Sequence, residues 1–237
     1  MSNMDKFTVR VTAREVRNRN VRLRLVAVIA LVAILLLLVA FTLAVYVDKA
    51  GNFTVDVIEW GPDTAISICD KPDFSNPSTY LEADAVYEMD NITEAWLPTD
   101  IDKVDGSHNG KDYIAYTFYV KNTGIKEISY QADIDILSVM RDADEAVRVK
   151  VYRNGTPTLF AKRQTGNSDP EPDTTPFFSE TKVMSQSFDN MKSGDMDKYT
   201  VIIWLEGNDP ECVDDIKGGE VKMIMRLKVL DQDEELA

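Results

Sequence analysis

The side chains best suited to chemistry gather in Gly207-Asn-Asp-Pro-Glu-Cys-Val-Asp-Asp-Ile-Lys-Gly-Gly219. Asn208, Asp209, Glu211, Asp214 and Asp215 place five oxygen donors within eight residues. A hard cation such as Ca²⁺ takes six to eight oxygens at about 2.3–2.6 Å. The loop therefore reads as a candidate ion site, although its spacing is not that of an EF-hand. The alternative is a solvated acidic loop closed by a glycine turn. Asp100, Asp102 and Asp105 pose the same choice more weakly. Trp60 and Trp96 are candidate ligand contacts, because an exposed indole offers a flat apolar platform; Trp204 lies in an apolar run and reads as core.

Other chemistries lack their residues. The chain has one histidine, His108, in the polar loop Gly106–Gly110, where an exposed side chain is the simplest reading. A Ser-His-Asp triad would have to use it. No zinc-binding helix, cysteine-pair metal spacing, nucleophile elbow or phosphate-binding glycine loop is present. The expectation is a protein that is not an enzyme and has no cofactor beyond a possible Ca²⁺. Cys69 and Cys212 are the only cysteines. Outside the cytoplasm they could form a disulfide. It would close a loop of over 140 residues and contribute roughly 5 kcal/mol at most. Two separate buried thiols are the other possibility.

One stretch fixes where these groups reside. Leu25 to Val47 runs for 23 residues without a charge, proline or glycine. As a helix it would cross a hydrocarbon layer of ~30 Å. Before it, residues 1–24 carry seven basic side chains against two acidic ones, a charge of +5. Basic residues beside a crossing stay in the cytoplasm, where they meet anionic lipid head groups. The N-terminus is thus expected inside and the rest outside. Thr12-Ala13-Arg14-Glu15 fits a capping box that starts the helix, and Gly51 is a suitable stop. The apolar run exceeds that of a cleaved signal peptide, so an uncleaved signal anchor is favoured. The domains read as a basic cytoplasmic arm (1–24), a transmembrane signal-anchor helix (25–47) and an extracellular domain (48–237).

The chain's net charge of −14 leaves −19 on the residues after the helix. That excess favours solubility and argues against nucleic acid as a partner. Three N-glycosylation patterns, at Asn52, Asn91 and Asn154, matter only in a eukaryotic secretory route.

The exported region alternates in the manner of strands. Nine are expected, over 53–58, 65–69, 112–121, 125–139, 147–153, 158–163, 181–188, 199–205 and 221–230. Ile128, Tyr130, Ala132, Ile134 and Ile136 share one face, as do Val221, Met223, Met225, Leu227 and Val229. Asn154-Gly155 between two alternating runs signals a hairpin. Residues 70–110 break the rhythm as a long surface excursion, helix-like only over Tyr80–Met89. Residues 140–146 suit one helical turn, and 231–237 an acidic tail. The fold class is all-β: an antiparallel jelly-roll or immunoglobulin-like sandwich of about nine strands, preceded by one transmembrane helix.

Three segments carry a family resemblance: Tyr46-Val-Asp-Lys-Ala-Gly-Asn-Phe-Thr-Val55, Val120-Lys-Asn-Thr-Gly124 and Met191-Lys-Ser-Gly-Asp195. With the apolar N-terminal segment, the chain resembles the camelysin/TasA-like, SipW-dependent exported surface and biofilm-matrix proteins of Gram-positive bacteria. The resemblance implies a jelly-roll-like sandwich, surface anchoring or secretion, and in some members assembly into fibres. The basic arm and apolar run are longer than that family's cleaved signals. Protease activity, described for camelysin, would need ligands or a nucleophile that the sequence lacks. The leading expectation is a single-pass cell-membrane protein displaying an acidic sandwich for envelope or matrix interaction, with sheet edges as the contact or self-assembly elements. The alternatives are an extracytoplasmic module binding a small ligand, glycan or Ca²⁺ through 70–110 and 207–219, and a released fibre-forming matrix subunit.

Overall fold

The computed structural model describes residues 13–49, 52–59 and 66–230. Thr12, Gly51, Trp60 and the tail 231–237, all named above, lie outside them. The chain divides into two units, residues 1–50 and 51–237.

The first unit contains helix α1 (Ala13–Lys49). Its 37 residues rise about 55 Å at ~1.5 Å each. Within it Leu23–Phe41 has a mean hydropathy of 3.1 and is fully exposed. A stretch with apolar side chains on every face and none of them buried suits a lipid environment.

Among its described residues the second unit has twelve strands: β1 (Phe53–Glu59), β2 (Ile66–Cys69), β3 (Tyr80–Glu82), β4 (Gly106–Ser107), β5 (Tyr113–Asn122), β6 (Ile128–Met140), β7 (Val147–Arg153), β8 (Thr156–Ala161), β9 (Thr175–Pro176), β10 (Lys182–Met191), β11 (Met196–Leu205) and β12 (Glu220–Leu230). They form a five-stranded sheet, β10-β6-β12-β1-β3, and a second sheet, β2-β5-β11-β7-β8-β9. In the second, β4 and β2 lie end to end along one edge of β5. All nine expected strands are present; β3, β4 and β9 are additional and only two or three residues long. Most pairings are antiparallel as expected. Two are parallel, β1 with β12 and β8 with β9, so both sheets are mixed.

The alternation expected for β6 and β12 is realised. Ile128, Tyr130, Ala132 and Ile134 of β6 and Met223, Met225 and Leu227 of β12 are buried against Phe53, Val55, Phe118, Tyr199 and Val201. Phe118 and Tyr199 stack at 5.5 Å in this core. The Tyr130 hydroxyl donates to Asp197 Oδ2 at 2.5 Å, and Arg153 and Asn154 also donate to that carboxylate. The buried charge is therefore satisfied, as burial in an apolar core requires.

The 70–110 excursion forms a second core. Ile92 and Ile101 cover Ala115, Ile202 and Trp204. Strand β11 is consequently buried on both faces: Tyr199, Val201 and Ile203 pack in the main core, while Ile202 and Trp204 pack under the excursion. The expected helix over 80–89 is not formed. Tyr80–Glu82 is strand β3, paired with Thr54–Asp56, and the chain then runs irregularly to 3₁₀ turns at Glu94–Trp96 and Ile101–Lys103. A free edge on β1 captures a segment whose own helical preference is weak. Residues Ala143–Ala146 form the expected single turn.

Candidate functional site

The chemically suited side chains meet beyond one end of the second sheet, where β7 and β11 place Arg148 opposite Trp204. The chain leaves β11 at Glu206, whose carboxylate ties three segments together. Oε2 accepts from the Trp204 indole at 3.1 Å and from the Glu94 N–H at 3.2 Å, while Oε1 accepts from the Asn208 N–H. The next residues curl tightly. The Glu211 N–H donates to Asp209 Oδ1 at 2.8 Å, an Asx turn of the kind short carboxylates favour. This turn directs Asp209 inward.

Inside, Asp209 Oδ2 lies 2.6 Å from Arg148 Nη2, and Glu171 Oε2 lies 3.4 Å from it. Arg148, Glu171 and Asp209 are each 5–6% exposed. Glu211 Oε1 accepts from the Thr165 N–H at 3.0 Å, while its Oε2 is buried without a hydrogen-bond partner among the described residues. Oxygens of Glu171, Asp209 and Glu211 lie within 4.8 Å of one another. One guanidinium thus faces three carboxylates, leaving a local surplus of negative charge. Burial, then the neighbouring Asp209, raise the Glu171 carboxyl above its ordinary range, against the opposing pull of Arg148. The Asp209 carboxylate close beside it, then burial, raise Glu211. Burial and the nearby Asp209 and Glu206 raise the Cys212 thiol, which disfavours the thiolate that a nucleophile needs.

A separate cleft of about 680 Å³ is lined in part by Cys212, next in sequence to Glu211. Tyr87–Asn91 and Lys111 form one wall, and Cys212–Asp214 with Ile216–Gly219 form the other. Leu205 and Ala143 supply further apolar lining, and the cleft's charges are mostly paired, Lys111 with Asp90 at 3.0 Å and Lys217 with Asp214 at 2.7 Å. Gly219 is required there: a Cβ would stand 2.7 Å from both the Ala143 Cβ and the Met140 carbonyl.

The five residues expected to hold Ca²⁺ are therefore not one coordination set. Asp209 and Glu211 turn inward to join Glu171, whereas Asn208, Asp214 and Asp215 are exposed. The Asx turn and the attraction of Arg148 separate them. Among the described residues, Glu171, Asp209 and Glu211 are the set that could hold a metal. Arg148 and Glu171 escape a reading from the sequence alone. In a strand whose valines face the core, Arg148 occupies the opposite, nominally exposed face; two loops distant in sequence cover it. The only available signal is the concentration of acid in those loops.

Cys69 and Cys212 are both free thiols, which corrects the expected disulfide. Cys69 pairs with Tyr119 on β5, and Cys212 lies by Arg148 at the level of Tyr113. Six residues of strand separate these levels, about 20 Å at ~3.4 Å per residue, far beyond the ~7 Å Cα limit. Trp96 is 71% exposed on its 3₁₀ turn and is not part of the cleft lining. Trp204 is fully buried. Asp102 and Asp105 are engaged separately, the first through its carbonyl to Lys198 at 2.6 Å and the second through its carboxylate to Tyr119 at 2.5 Å.

No protein-family model matches the chain, and no curated protein sequence does. Among solved structures it is similar to the β-glucosidase of Kluyveromyces marxianus in complex with glucose, at 12% identity over 72% of this chain and 16% of that one, TM-score 0.25. The selenomethionine-labelled form of that enzyme gives 11% identity over 72% and 17%, TM-score 0.26. The chain spans about a sixth of the length of these proteins.

Proposed function

We propose that the chain is a single-pass protein of the cell membrane, held by residues 25–47, that displays an acidic β-sandwich outside the cell for envelope or matrix interaction and performs no catalysis itself. The observation that supports this is the pairing of two unlike units: a helix whose Leu23–Phe41 stretch is apolar and wholly exposed, and a separate sandwich with its own core. The basic arm favours an N-terminus in the cytoplasm. The surplus acid after the helix favours cationic partners. Strand β10 is the long edge of the five-stranded sheet and supports strand addition by a partner. Its irregularities at 182–184 and 188–191 restrict regular pairing to the residues between, as protected edges do. The test is tag accessibility on intact cells. A C-terminal tag labelled from outside, with an N-terminal tag labelled only after lysis, is the expected result. The reverse labelling refutes the orientation. Recovery only from the medium, with a start near residues 45–51, refutes the anchor and favours the released matrix subunit.

The cleft and the carboxylate cluster favour a second reading, an extracytoplasmic binding module for a small ligand, glycan or Ca²⁺. Its walls come from the 70–110 and 207–219 segments, and the surplus charge with the unpartnered Glu211 Oε2 suits a hard cation. Titration with Ca²⁺ tests this part: a saturable rise in Tm, lost in Glu211→Gln, is expected, and no rise at millimolar Ca²⁺ refutes it.

A further inference from the structure

His108 is the chain's single histidine, and it is half-buried at the root of the excursion. Its Nδ1 lies 2.8 Å from the Gly106 carbonyl oxygen and its Nε2 lies 2.8 Å from the Ile101 carbonyl oxygen. Both partners are acceptors and neither can donate. A neutral imidazole carries one N–H and one lone pair, whereas the imidazolium carries two N–H groups. Only the charged ring satisfies both contacts; the neutral ring leaves a nitrogen lone pair facing a carbonyl oxygen at hydrogen-bond distance.

The ring's position gives this chemistry a consequence. The His108 N–H donates to the Ala115 carbonyl of β5 at 2.9 Å, so the backbone beside the ring is fixed to the second sheet. Ile101, whose carbonyl the ring holds, is 3% exposed and covers Ala115, Ile202 and Trp204. The ring therefore ties the cover to the sheet beneath it. We propose that His108 is a proton-dependent latch, closing the 92–105 segment over the Trp204 patch when the ring carries two protons and loosening it when one is lost.

The charged groups facing the cover come from several elements. The Asp105 carboxylate accepts from Tyr119 of β5, Lys198 of β11 donates to the Asp102 backbone carbonyl, Lys150 of β7 pairs with Glu94, and Glu206 at the end of β11 accepts from the Glu94 N–H. No second histidine competes for titration between pH 5 and 8. The direction follows. The charged ring supports the cover in acid, and that support is lost as pH rises and the ring becomes neutral.

The experiment uses the full chain in detergent micelles, with histidine ring ¹⁵N labelling and amide hydrogen exchange from pH 5.5 to 8, rates corrected for intrinsic exchange. The expected result is a ring protonated on both nitrogens at the acid end. Protection of 92–105 should fall about tenfold or more, in step with loss of one ring proton. His108→Gln should exchange at a rate that no longer follows pH in this segment. The ring signal is read on the unsubstituted protein, so a variant that fails to fold leaves the test intact. A ring carrying one proton throughout the range overturns the proposal. So does protection that is unchanged when the ring titrates, or a His108→Gln variant that keeps the original pH dependence.

Discussion

Arg148→Ala is the sharpest perturbation of the candidate site. It removes the one cation from three carboxylates, two of them, Glu171 and Asp209, about as buried as Arg148 itself. Breaking a buried pair from one side costs about 3–5 kcal/mol, because the charges left behind lose their compensation without regaining water. At about 2–4 °C per kcal/mol for a domain of this size, Tm should fall by about 6–20 °C. Tryptophan fluorescence of the full chain in micelles reads this cleanly, since Trp60, Trp96 and Trp204 all follow the helix. The pH dependence is a second check. Glu171 and Glu211 already titrate above the ordinary carboxyl range. A raised carboxyl contributes stability while protonated and loses it as pH rises. Without Arg148 the repulsion grows, so the gap between variant and parent should be narrower at pH 5 than at pH 8. Arg148→Met, which keeps most of the volume, separates lost packing from lost charge. Glu211→Gln removes a surplus charge and should leave Tm unchanged or raise it in metal-free buffer. A fall under about 2 °C at pH 8 for a domain of this size, or a wider gap at pH 5, would refute the reasoning.

Gly219→Ala places a methyl group against the Met140 and Ile216 carbonyl oxygens; backbone yields poorly, and a loss of about 1–3 kcal/mol should appear in urea unfolding. Trp204→Ala empties the second core and should cost about 3–5 kcal/mol, with the 92–103 amides exchanging faster than those of β6. On the exposed face of the five-stranded sheet, burial pushes Asp133 upward, but hydrogen bonds from Lys182, Gln131 and Ser185 outweigh it and hold the carboxyl below its ordinary value. That contribution is present above the unfolded-state value and lost as pH falls through the lower folded one, so Lys182→Met should reduce stability at pH 6 and much less near pH 2, measured by chemical unfolding.

The sequence made the strands legible where each face has one environment. Alternation in β6 and β12 names the inward residues because one face meets core and the other water. It fails for Arg148, whose outward face is covered by loops separated from it in sequence. It is silent on β3, β4 and β9, which are too short to show a period and exist because a neighbouring edge is open. The acidic loop was recognisable as unusual, but composition could not show that an Asx turn sends Asp209 inward and leaves Asp214 in solvent. The cysteines were a pair by count alone. Strand register decides their separation, and register depends on pairings between distant segments. His108 looked exposed because its polar loop concealed the two carbonyls it meets.

The parallel pairing of β1 with β12 joins Phe53 to Met223, nearly the full length of the second unit. Strand β12 also separates β1 from β6 in the sheet. During synthesis β1 emerges well before its final neighbour, and cannot pair with it until residues 220–230 have left the ribosome. Until then one sheet exists only as two disconnected pieces, each with an edge open to other chains. Folding of this kind, governed by contacts between segments some 170 residues apart, is slow and exposes aggregation-prone edges meanwhile. A chain terminated before Glu220 lacks the strand that joins β1 to β6, and should therefore keep two open edges in the five-stranded sheet and be recognisable to proteolytic quality control.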